Sequence, residues 1–98
     1  MKKDVKALIK RLTLLVRFYK VSRGWIAING DGVVYQSKGK PSFDPSGVHE
    51  GLDTWDFQED YFTISNLDEV PLAWVCPSLP CKDTLFYTDG GTVWLVEV

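Results

Sequence analysis

Catalysis by a serine or cysteine nucleophile needs a base within hydrogen-bond reach, and this chain offers a single histidine for the task, His49. It lies among glycine and proline residues and beside Glu50, in a stretch that reads as loop. Cys76 and Cys81 follow an acidic window, the opposite of the electropositive setting that lowers a thiol pKa. Their spacing in Cys76-Pro77-Ser78-Leu79-Pro80-Cys81 is one that some zinc ligand pairs use, but structural zinc takes four ligands and a lone histidine leaves the set short. The carboxylate pairs Asp53 with Asp56 and Glu59 with Asp60 lack the glycine and spacing of a calcium loop. Asn29-Gly30-Asp31-Gly32 and Asp89-Gly90-Gly91 sit between strand-like runs and open no helix, so neither is a phosphate cradle. The reading is a protein that is not an enzyme, with no catalytic residue, metal site or cofactor.

Charge is more informative than any motif. The chain of 98 residues has a net charge of −2. Residues 1–24 hold eight Lys or Arg against Asp4, a net +7, and the remainder holds three Lys against twelve acids, a net −9. Residues 44–69 contain eight carboxylates and no Lys or Arg. One reading is ordinary: the two blocks neutralise each other or face water. The sharper reading is a docking surface, because Trp55, Phe57, Tyr61 and Phe62 are interleaved with the acids, and interfaces use aromatic anchors for affinity and charge for steering. On this reading the contact residues are Asp53, Trp55, Asp56, Phe57, Glu59, Asp60 and Tyr61, and the partner is a protein with a basic patch.

The elements that must position these residues follow from hydrophobic periodicity. Val5, Leu8, Ile9, Leu12, Leu15, Val16 and Tyr19 recur at threes and fours, which predicts an amphipathic helix over about 3–20. Lys3, Lys6, Lys10, Arg17 and Lys20 gather on the opposite arc. They define the alternative function, a small nucleic-acid-binding protein that lays this arc along a phosphate backbone. Ala7, Leu14 and Phe18 widen the apolar arc beyond what one sheet face needs, and the excess could meet a second copy as a homodimer. The longest apolar run, Leu12 to Val16, is far shorter than the roughly 20 residues of a membrane span. Lysines precede apolar residues at the N-terminus, but no signal-peptide cleavage pattern follows, so the expected location is the cytoplasm.

After Gly24 the period changes to alternation. Trp25–Ile28, the turn Asn29–Gly32 and Val33–Tyr35 form one predicted hairpin, and Leu85–Thr88, Asp89–Gly91 and Thr92–Val96 form another. Strands are also predicted over Tyr61–Ser65 and Leu72–Cys76. Gly39, Pro41, Pro45, Gly47 and Gly51 make residues 37–60 read as one long acidic loop. The expectation is a single α+β domain over 1–98, with one N-terminal helix on an antiparallel sheet of five to six short strands.

Trp25-Ile26-Ala27-Ile28-Asn29-Gly30-Asp31-Gly32-Val33-Val34-Tyr35, followed by Lys40-Pro41, Trp55, Trp74 and Ser78-Leu79, resembles a pattern in small proteins encoded by bacteriophages and prophages. It covers roughly the middle half of the chain and leaves out the basic helix. The resemblance implies a non-enzymatic accessory factor that binds a host protein in the cytoplasm of the host cell. It implies inhibition or redirection of a DNA-processing or defence complex such as a nuclease, and it carries over no catalytic residue.

Overall fold

A computed structural model of the chain describes the backbone of all residues except 50–51, 59, 67–69 and 97–98. It describes the side chains of all but these and 45–49, 52–53 and 66. The helix α1 spans Lys3–Phe18 and buries Val5, Leu8, Leu12 and Val16, the stripe set by its period. It stops two residues short of Lys20. Lys20 takes a positive φ of 53°, and the N–H groups of Val21 and Lys20 donate to the carbonyls of Val16 and Arg17. That pattern, with buried Val21 packing back toward Val16, is a Schellman cap in which lysine holds the position glycine usually takes.

The strands β1 (Gly24–Ile28), β2 (Val33–Ser37), β3 (Ser42–His49), β4 (Leu52–Asp56), β5 (Tyr61–Asn66), β6 (Leu85–Thr88) and β7 (Val93–Leu95) form two antiparallel sheets. The first has the order β5-β2-β1-β6-β7, and the second pairs β3 with β4. Alpha-plus-beta architecture with the helix on a five-stranded sheet is thus what the sequence led us to expect. Both predicted hairpins form, with registers Ile28↔Val34 and Thr88↔Val93 closest to their turns. In the first turn Gly32 sits at φ 90°, and the Asp31 carboxylate accepts the Val33 N–H at 3.0 Å. Gly24 is required for a different reason: a Cβ there would lie 2.6 Å from both the Ser37 carbonyl oxygen and the Gln36 side-chain nitrogen.

Two segments depart from expectation. Residues 37–60 are not one long loop: Ser42–His49 and Leu52–Asp56 pair as a hairpin with Phe43 opposite Trp55. The two rings meet edge to face at 5.4 Å. Glycine and proline punctuation hid a strand pair whose aromatic and threonine residues favour extended backbone. The second departure is Leu72–Val75, which forms a short helix, α2, where a strand was expected. In a strand Leu72, Trp74 and Cys76 would share a face. Here Leu72 and Cys76 are buried four residues apart while Trp74 is 77% exposed. Pro71 and Pro77, which lack N–H groups, bracket the segment, and its own N–H groups find partners outside any ladder: Cys76 donates to the Leu72 carbonyl at 2.8 Å, Trp74 to the Pro71 carbonyl at 3.0 Å and Leu72 to the Gly30 carbonyl at 3.0 Å.

Ile26, Ile28, Val34 and Phe86 fill the sheet face beneath α1, together with Val93. The helix is tied at both ends. Asp4 accepts the Ser78 N–H at 2.8 Å, and Arg17 Nε donates to the Gly91 carbonyl at 2.9 Å. Among the described residues no helix is long and apolar enough to cross a membrane.

Candidate partner-binding surface

The sheet face away from α1 is where the aromatic residues collect. Residues paired across antiparallel strands share a face, and the registers place Trp94, Tyr87, Trp25, Ser37 and Tyr61 opposite one another in a single row across all five strands. Trp25 meets Tyr87 edge to face at 5.2 Å, and Tyr87 lies nearly parallel to Trp94 at 6.4 Å. The Lys40 ammonium stands 5.7 Å from the centre of the Trp25 ring, within cation–π range.

At the β5 end the row runs into an acid-edged corner. Phe57, just past β4, stacks on Tyr61 at 4.6 Å with 19° between the planes. Tyr35 completes the cluster at 5.4 Å from Phe57 and 5.8 Å from Tyr61. Burial raises the Tyr35 phenol pKa, and the neighbouring Asp31 and Tyr61 add to the effect, so this hydroxyl stays protonated. Asp56 and Asp60 flank the stack and are exposed; Asp56 also accepts from the Gln58 amide at 3.2 Å.

Of the contact residues expected from sequence, the structure therefore gathers Asp56, Phe57, Asp60 and Tyr61. Glu59 and the side chain of Asp53 lie outside the described residues. Trp55 is a correction. It was expected as an exposed anchor but is only 7% exposed, with its N–H on the Asn29 side-chain oxygen at 2.9 Å and its indole N–H on Thr84 Oγ1 at 3.3 Å. The physical reason is strand alternation: pairing β4 with β3 turns Trp55 inward toward Phe43 and presents Asp56 outward. Tyr35 was missed. The signal for Tyr35 was its place in β2, which only the non-local pairing with β5 brings beside Phe57 and Tyr61.

The alternative basic surface is present but interrupted. Lys3, Lys6, Lys10, Arg17 and Lys20 are exposed, although Arg17 is engaged with Gly91 and Lys20 lies in the turn beyond the helix. Leu14 and Phe18 are exposed on the same helix. Elsewhere Cys76 and Cys81 are buried and not joined in a disulfide, and the Cys81 thiol donates to the Ile28 carbonyl at 3.2 Å. Burial and then the nearby Asp4 push Cys76 up to about 11, which disfavours the thiolate needed for attack. Among the described residues no group of three His, Cys, Asp or Glu could hold a metal ion.

Fold and surface together define a small α+β domain whose most developed outer feature is an aromatic row ending in carboxylates. No protein family, curated protein or solved structure matches the chain, so this class rests on its own residues and geometry.

Proposed function

We propose that the chain is a non-enzymatic protein-binding module that docks a partner carrying a basic patch. The observation that carries this reading is the stack of exposed Tyr61 on half-buried Phe57, with the exposed carboxylates Asp56 and Asp60 next to the two rings in the chain. A preformed aromatic pair offers apolar contact area with its rotamers already restricted, and the carboxylates steer a cationic partner while repelling acidic ones. The likeness of the first hairpin to phage-encoded accessory proteins points to a host DNA-handling or defence enzyme, whose nucleic-acid groove supplies such a basic patch. Binding should weaken with salt without vanishing, because stacking is not screened. The test is affinity capture from nuclease-treated bacterial lysate, beside a variant with Asp53, Asp56 and Asp60 changed to Asn and Glu59 to Gln. A host protein retained by the native chain and lost by the variant supports the reading; equal retention by both overturns it.

A second reading, nucleic-acid binding through α1, is favoured by the exposure of Lys3, Lys6 and Lys10 along one helix. It predicts a steep fall of affinity with the logarithm of salt concentration and loss of binding when these lysines become Gln.

A further inference from the structure

The two edges of the five-stranded sheet are built differently. The β7 edge has three residues, too few to template another strand. At the other edge, β5 is six residues long, and its sequence Tyr-Phe-Thr-Ile-Ser-Asn holds no lysine, no proline and no charge. Such residues favour extended backbone, and the usual devices that blunt an exposed edge are missing apart from one irregularity. That irregularity is a bulge: Tyr35 pairs with Thr63 and Val34 with Ser65, leaving Ile64 as the extra residue. Tyr61, Phe62 and Thr63 are all exposed, the first two at 54% and 52%, and they form a regular stretch bonded to β2 on one side. Among the described residues no backbone group of β5 bonds to any other strand or loop.

Charge identifies the occupant of this edge. Asp56 and Asp60 are exposed ahead of β5, Glu59 stands between them in the chain, and Asp68 and Glu69 follow the strand. The described carboxylates Asp56 and Asp60 therefore give the start of β5 a negative field. A foreign strand with Lys or Arg at the end lying beside the start of β5 meets opposite charge there. We infer that β5 is a docking edge at which an extended segment of a partner protein, apolar in the middle and basic at the end that meets Asp60, adds as a sixth strand. Backbone hydrogen bonds give the affinity, and Tyr61 and Phe62, on opposite faces, contact its alternate side chains. This mode rests on the basic-partner reading above and gives it a geometry.

The experiment uses the full chain and a synthetic peptide of alternating valine and threonine with two lysines at each end. A control peptide of the same sequence has alternate backbone amides N-methylated. Amide exchange is followed residue by residue by NMR. The expected result is exchange slowed by roughly tenfold or more at alternate amides of Tyr61–Thr63 with the first peptide and unchanged with the control. Thr63→Lys, at an exposed position, should weaken the first peptide at least about tenfold and leave the circular dichroism of the free protein unaltered. Equal binding of both peptides, or binding with no slowing in β5, overturns strand addition and leaves the acidic surface intact as a charge-reading site. Absence of binding by either peptide at low salt also overturns the inference. The lysate capture tests the basic-partner reading separately, so the two can fail independently.

Discussion

The sharpest test of how this domain is assembled is Trp55, because an exposed anchor and a buried strut predict opposite behaviour. The structure makes it a strut that fastens the β3–β4 hairpin: its backbone N–H is held by Asn29, its indole N–H by Thr84, and its ring by Phe43. Trp55→Phe keeps a ring against Phe43 but removes the donor to Thr84 and some buried volume. The lost hydrogen bond costs about 0.5–1.5 kcal/mol, and the space left behind brings the total to about 1–3 kcal/mol. A domain of this size has roughly 5–15 kcal/mol in all, and each kcal/mol moves its Tm by about 4–8 °C. Trp55→Phe should therefore lower Tm by roughly 5–20 °C, and Trp55→Ala, at about 3–5 kcal/mol, by roughly 12–40 °C. The assay is thermal and urea unfolding followed by circular dichroism, extended to a cycle with Thr84→Val. That cycle should return a coupling of about 0.5–1.5 kcal/mol, since Thr84 Oγ1 also serves the Ile28 and Cys81 carbonyls and only the shared term survives subtraction. A Trp55→Phe protein with native Tm and impaired partner capture would refute the reasoning and restore Trp55 to the surface.

Three further outcomes follow from the same geometry. The Asp4 carboxylate is held below its ordinary value of 3.8 chiefly by the Ser78 backbone N–H, so its contribution to stability is complete above about that pH and is lost as pH falls through the lower folded-state value; the stability gap between native protein and Asp4→Asn should narrow below pH 4 in acid titrations. Lys20→Gly should raise stability by about 1 kcal/mol, read from urea midpoints, because glycine occupies the positive-φ cap without the Cβ penalty. Cys76, with its pKa raised from 9.0 to about 11, favours the folded state while neutral, so stability should decline as pH rises from 9 through 11, and thiol reagents at pH 8 should label it only at the rate of opening.

The sequence made the helix and the two Gly-containing hairpins legible because each is specified within a few neighbours: a 3.6-residue stripe in α1, and turns at Asn29–Gly32 and Asp89–Gly91. It was less informative where a non-local contact decides. Phe43 and Trp55 lie twelve residues apart across a stretch rich in glycine and proline, and only their pairing makes strands there. Leu72 and Cys76 share a buried face because Pro71 starts a helical turn, although the same apolar residues also fit alternation. At the candidate site, Asp56, Phe57, Asp60 and Tyr61 could be found as a local cluster of aromatic and acidic residues. The contribution of Tyr35 could not, since it depends on β2 pairing with β5.

The division of charge acquires a meaning from the fold that it lacks in the sequence. Two anchors of α1 are known by their geometry: Arg17 donates to the Gly91 carbonyl in the β6–β7 turn, and Asp4 accepts from Ser78 after α2. Asp56 meets the neutral Gln58 amide. The exposed lysines of α1 and the exposed carboxylates beside Phe57 thus remain sources of field in solvent, on separate elements of one small domain. A charge separation of this kind orients the molecule as it approaches a charged partner, and its reach is limited to about 8 Å at physiological ionic strength. Orientation matters most for an edge strand, which binds only if the incoming segment arrives alongside it. The exposed carboxylates Asp56 and Asp60 ahead of β5 supply that alignment before any backbone hydrogen bond forms, so salt should slow association at this edge more than it speeds dissociation.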